Sequence, residues 1–164
     1  MLPNSIRIAS ILTATLLAGA CTPDPAKEVA LSDFEAYWVV DSPLGETNRI
    51  SPAVRFKVTS TGARKSIEAM SSFRRKSELQ VEWGSDTTRV TQSGKPMAPG
   101  ESRSVTLVSD RHYTGPADPE DLLRNAHFTD VHVLIFIRVG PSSWVKMAEL
   151  DADRRIGTHA LEGL

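Results

Sequence analysis

Residues 53–60 read AVRFKVTS. Val54, Phe56 and Val58 fall on one side of an extended chain, and Arg55, Lys57 and Thr59 fall on the other. Successive side chains of an extended backbone point to opposite faces, so a period of two means one buried face and one wet face. The stretch therefore predicts a strand in a sheet covered on one side, ended by Thr61-Gly62. Upstream, Phe34 to Val40 is aromatic and β-branched and stops at Asp41-Ser42-Pro43, which predicts a first strand. Leu44 to Ser51 is polar, with Gly45 and Asn48, and reads as a loop. Downstream, Ile67, Ala69, Ser71 and Phe73 alternate again, as do Leu79, Val81 and Trp83 with Gln80 and Glu82 between them. After the turn Gly84-Ser85-Asp86, Thr87 to Val90 predicts a short edge strand, and Val105 to Val108 the next one. Pro99-Gly100 between them suits a type II turn, in which glycine takes the positive φ.

Val131 to Val139 is apolar on both faces, with Leu134 and Phe136 opposing Val131, Val133, Ile135, Ile137 and Val139. That pattern belongs to a central strand covered on both sides. Gly140-Pro141-Ser142 turns the chain, and Trp144 to Leu150 returns as a last strand. One helix is signalled: Asp118-Pro119-Glu120-Asp121 supplies an N-cap, a proline at the first helical position and acids in the first turn. Leu122, Leu123 and Ala126 give it an apolar side, ending near His127, and the polar stretch Asp151 to Leu164 is expected to be peripheral. About seven strands and one short helix predict an all-β antiparallel β-sandwich. Its plan resembles the immunoglobulin-like domains of exported bacterial proteins, in which a Pro-Gly-Glu turn leads into a strand of Val and Leu. The matching residues here are Pro99-Gly100-Glu101 followed by Val105 and Leu107. The Cys–Trp–Cys arrangement of antibody domains is missing, so the resemblance implies an architecture and not a family.

The N-terminus has a different grammar. Arg7 precedes an uncharged apolar and hydroxylic run, Ile8 to Leu17, followed by the small residues Ala18, Gly19 and Ala20. This is the layout of a secretory signal, too short for a spanning helix of about 20 residues. Leu17-Ala18-Gly19-Ala20-Cys21 resembles the lipobox of bacterial lipoproteins, with Leu17 one place further back than usual. The resemblance implies cleavage after Ala20 and a lipid on Cys21. Several acyl chains, at about 0.8 kcal/mol per buried methylene, would hold the protein on a membrane firmly. Residues 1–20 are then the signal peptide, 21–30 a lipidated tether opening with the stiff Thr22-Pro23-Asp24-Pro25, and 31–164 the sandwich. Thr22, in place of an aspartate, favours by resemblance the outer membrane of a two-membrane cell, facing the periplasm. Cys21 is the chain's single cysteine, so no intrachain disulfide supports the fold. Loss of residues 1–20 takes only Arg7 among charged groups and moves the formal charge from −1 to −2, which gives no case for binding nucleic acid.

Motifs for chemistry are thin. Ser143-Trp144-Val145-Lys146 matches the Ser-x-x-Lys pattern of penicillin-binding enzymes, but it falls where a strand is predicted and lacks its companion motifs. His112, His127, His132 and His159 lack metal-ligand spacing, and Asp151-Ala152-Asp153 lacks the glycine and distal glutamate of a calcium loop. No catalytic residue, cofactor or metal site is predicted. Phe73-Arg74-Arg75-Lys76 is the densest basic cluster, readable as a charged strand end that discourages edge pairing or as a contact for phosphate groups. Phe73, Arg74, Arg75, Trp83 and Trp144 are the candidate interaction residues, with the loop Asp110 to Asp118 as the candidate contact. The expected function is non-enzymatic: a lipid-anchored module that binds another envelope protein. A module for envelope glycan or lipid is the alternative. Tryptophans bare beside Arg74 and Arg75 would favour the ligand, and buried ones a protein partner.

Overall fold

A computed structural model describes residues 23–40, 47–63, 66–92, 95–115 and 118–157. Cys21 and Ala20 lie outside the described residues, as does His159. The alternating stretch at 53–60 belongs to β2 (Asn48–Ser60), whose Val54, Phe56 and Val58 are buried while Arg55 is exposed. β2 pairs with β1 (Val29–Val40) on one side. Its other side carries β5 (Ser102–Val108) and the short β6 (Tyr113–Gly115). The second sheet runs in the order β4 (Gly84–Arg89), β3 (Ile67–Arg75), β7 (Val131–Val139), β8 (Val145–Asp151). Every ladder in both sheets is antiparallel. The chain crosses between sheets from β2 to β3, from β4 to β5 and from β6 to β7. This is the expected immunoglobulin-like β-sandwich, with eight strands.

The core fills the gap between the sheets. β1 and β2 contribute Ala36, Trp38, Val54 and Phe56; β3 and β7 contribute Ile67, Phe73, Val133, Ile135 and Ile137. On the other face of β7 Leu134 is buried while His132, Phe136 and Arg138 are half-buried, so in a sandwich of two sheets β7 has one core face and not the two expected. The Pro99-Gly100 turn is present, with Gly100 at φ +79 and the Glu101 N–H donating to the Ala98 carbonyl at 3.0 Å.

Four further expectations are corrected. Leu79 to Trp83 is not a strand: two successive turns, Glu78 N–H to Arg75 carbonyl and Val81 N–H to Glu78 carbonyl, carry the chain from β3 to β4. Lys76-Ser77-Glu78 breaks the ladder, and three apolar residues at alternate places are too few to restart it. The edge strand begins instead at Gly84. The first strand starts at Val29, five residues before Phe34, through an irregularity where Asp33 takes φ +54. The ordered fold also begins ahead of residue 31. Pro25–Glu28 forms α1, capped by Asp24, whose Oδ1 accepts the Ala26 N–H, and Pro25 is buried. Asp-Pro is the same signature that opens α2 (Pro119–Arg124), which ends before His127. Finally, residues 151–157 are not peripheral: Ala152 is buried and Ile156 bridges to Trp38.

The sandwich has two distinct ends. Val29 faces Ser60 in the first sheet and Ile67 faces Val139 in the second, so α1 and the start of β1 define the entry end. Val40 faces Ile50, Ile50 faces Tyr113, and Arg75 faces Val131 at the far end. Nine residues of strand place the two ends about 30 Å apart.

Candidate functional site

The candidate residues divide between the ends. Phe73 is fully buried in the core and is no surface contact; it points inward because it keeps the alternation of Ile67, Ala69 and Ser71. Arg74 and Arg75 close β3 at the far end, and Trp83 follows their loop. Trp144 sits at the entry end, just before β8, half-buried under the Arg138 guanidinium at 4.7 Å. The structure therefore brings Arg74, Arg75 and Trp83 together and leaves Trp144 apart from them.

The basic cluster is largely spoken for. Arg75 pairs with Glu78 at 2.8 Å and Lys76 with Asp151 at 2.8 Å. Arg74 donates to the Leu79 carbonyl at 2.9 Å and to the Ser72 hydroxyl at 3.5 Å, so its guanidinium clamps the loop. Asp151 also meets His132 Nδ1 at 2.8 Å, and the Lys76 ammonium, then His132, hold the Asp151 carboxyl below its usual range. This clamp presents Leu79 and Val81, 45% and 57% exposed, at the loop tip. They are the most exposed of the large apolar side chains left open among the described residues. Both lie in the stretch expected to be a strand, so the signal for them was there but assigned to one covered face.

Behind the loop lies an aromatic cluster. Trp83 stacks near Tyr113 with centroids 5.1 Å apart, Tyr113 meets Phe128 at 5.0 Å, and Trp38 meets Phe128 edge-on at 4.7 Å. Trp38 is wholly buried, its indole N–H has no hydrogen-bond partner, and the Tyr113 and Phe128 rings pack against the indole. Tyr113 opens β6, the short strand that interrupts the loop expected from Asp110 to Asp118, and its contact with Trp83 joins β6 to the 76–83 loop. Beside it, Tyr113, Thr114, Leu122, Asn125, His127 and Phe128 line a shallow pocket of about 200 Å³.

A larger cleft of about 540 Å³ separates α2 from the segment after β8 and is lined by Glu120, Leu123, Arg124, Arg154, Arg155 and Ile156. Its guanidiniums suggest an anion site, but each is already matched. Arg154 meets Asp130 at 2.5 Å; Arg155 meets Glu35 at 3.1 Å and Asp153 at 3.5 Å; Arg124 meets Glu120 at 3.1 Å and Asp121 at 3.5 Å. No group of three or more His, Cys, Asp or Glu able to hold a metal occurs among the described residues. Ser143 precedes β8 and Lys146, within it, pairs with Glu149 at 2.8 Å. Among the described residues no helix is long and apolar enough to cross a membrane.

No protein-family model matches the chain, and no curated protein matches it. A crystal structure of a Bordetella pertussis protein assigned the name ApaA is similar over 78% of this chain and 96% of its own, with a TM-score of 0.36 and 16% identity.

Proposed function

We propose that this chain is a lipid-anchored, non-enzymatic protein-interaction module of the bacterial envelope, tethered through Cys21 to the outer membrane and facing the periplasm. One observation carries the interaction reading. The chain enters at one end of the sandwich, and the clamped loop presents Leu79 and Val81 at the other. A tether at the entry end leaves that far end free to meet another protein. Exposed aliphatic side chains on a held loop gain from burial against a partner and cost little ordering. The glycan or lipid alternative is less well supported. Trp83 is packed against Tyr113, Arg75 and Lys76 are paired with carboxylates, and Arg74 is committed to the loop.

The test is photocrosslinking in cells from a reactive residue placed at Leu79, with Ser143 at the entry end as the comparison. A reproducible envelope protein captured from Leu79 and not from Ser143 is the expected result. No capture from Leu79, with lipid or glycan co-purifying instead, would overturn the reading. The anchor is checked separately: Cys21→Ala should abolish incorporation of labelled fatty acid, and continued labelling would refute the lipobox assignment.

A further inference from the structure

Past β8 the chain stays with the fold. Residues 153–157 continue in the direction of β8 along the outer edge of β1, where Trp38 and Ile156 form a parallel bridge. Three backbone bonds hold this strap. Asp153 N–H donates to the Ala36 carbonyl at 3.0 Å, Trp38 N–H to the Arg155 carbonyl at 2.9 Å, and Gly157 N–H to the Trp38 carbonyl at 2.8 Å. These are the bonds that an added strand would make, so the strap sits in a strand-acceptor position.

Its side chains hold it unevenly: Arg154 anchors it, pairing with Asp130 at 2.5 Å and donating to the Leu123 and Phe128 carbonyls, and the hold is light only beyond that residue. Arg155 pairs with Glu35 and Asp153 and lies over the Tyr37 ring at 5.2 Å, and all of these ion pairs are exposed enough to contribute little. Ile156 is only half-buried. Gly157 is the selective position, because a Cβ there would overlap the Tyr37 ring. On either side of the covered stretch β1 leaves Phe34 and Val40 39% and 38% exposed, two of the four large apolar side chains exposed among the described residues. An edge strand with exposed apolar flanks and a lightly held cover is a template for another chain.

We propose that the β1 edge at Ala36–Trp38 is a docking site for an extended segment of a partner protein, with residues 155–157, beyond the Arg154 anchor, as its displaceable resident. The inference rests on the protein-interaction reading and adds the mode of contact. In strand addition, main-chain bonds supply affinity and alternate side chains select the partner. The resident shows the chemistry the site takes: a cation beside Glu35, then an aliphatic residue, then glycine against Tyr37. An incoming strand that also covers Phe34, 39% exposed at the start of this edge, gains burial that residues 155–157 do not have, and that added burial lets it displace them.

The experiment titrates a synthetic peptide of residues 152–157 into the full chain and reads the amide shifts of Ala36, Tyr37 and Trp38 by NMR. Arg155→Ala, which loosens the resident, should bind ~2–5-fold more tightly than the wild type, the factor that one exposed ion pair is worth. The same peptide carrying Gly157→Val should not bind. Absence of saturable binding to either chain, or equal binding of the two peptides, overturns the proposal. Should Arg155→Ala fail to fold by circular dichroism, Ile156→Ala loosens the resident instead and leaves the acceptor edge unchanged. Hydrogen exchange of the wild type is an independent check. The Trp38 amide should exchange through local opening, and exchange only through global unfolding would overturn the site. Capture from Leu79 without peptide binding removes the strand site and keeps the broader reading; peptide binding without capture does the reverse.

Discussion

Phe73 and Arg75 stand two residues apart on one strand and have opposite jobs. Phe73 fills the space between the sheets with none of its surface exposed, while Arg75 holds Glu78 in solvent. Phe73→Ala should cost about 3–5 kcal/mol in a denaturant titration, because lost burial and an unfilled cavity add. Arg75→Ala should stay within about 0.5 kcal/mol, the scale of an exposed pair. Equal losses at the two positions would mean that the last residue of β3 is as deeply buried as Phe73. The same alternation explains why the basic cluster misled: Phe73 is contiguous with three cations in sequence, yet a period of two sends it to the opposite face from Arg74.

At the scale of elements, turns decide what periodicity cannot. Gly100 has φ +79, and a Cβ placed there meets nothing within 4 Å. Gly100→Ala should therefore destabilise by about 1–2 kcal/mol through the backbone alone; an unchanged thermal midpoint would show that the turn tolerates a side chain. Where strands follow the period of two over several residues, as at 53–60 and 67–73, or run apolar on both faces, as at 131–139, they were legible and so was the sandwich. The failures are physical in kind. Leu79, Val81 and Trp83 alternate, but the Arg74 guanidinium captures the Leu79 carbonyl and the chain turns. The start of β1 was hidden because Asp33 at φ +54 shifts the register and breaks the pattern. The capping signal of α1 was present in Asp24-Pro25 and was masked by the expectation of an extended leader. Of the far-end surface, only Arg74, Arg75, Trp83 and the Asp110 to Asp118 loop could be named, since exposure of a side chain is a tertiary fact.

Across the whole molecule, carboxylates bridge strands. Glu68 on β3 meets Arg138 of β7 and Arg89 of β4, and the Arg138 hydrogen bonds hold its carboxyl below the usual glutamate range, against the opposing effect of burial. Lys76 beside Asp151 and Lys146 beside Glu149 act in the same direction. A carboxyl whose pKa is lower folded than unfolded adds stability above its unfolded value of about 4.5 or 3.8, and that stability is lost as pH falls through the folded value. Stability should therefore decline below pH ~4.5, and Glu68→Gln should flatten that decline while lowering stability near neutrality. An acid limb identical in the variant would show that Glu68 carries none of it.

The three crossings between sheets also set an order of events. β3 finds its inner neighbour only when β7, more than fifty residues later, has been delivered, and β2 waits for β5. Pairings between distant segments slow closure, because loop entropy is lost before the contacts form. A chain fed through a narrow passage from its N-terminus cannot knit its barrier-forming core until nearly all of it has emerged. Lateness in the sequence thus keeps the polypeptide threadable, which suits the exported life proposed for it.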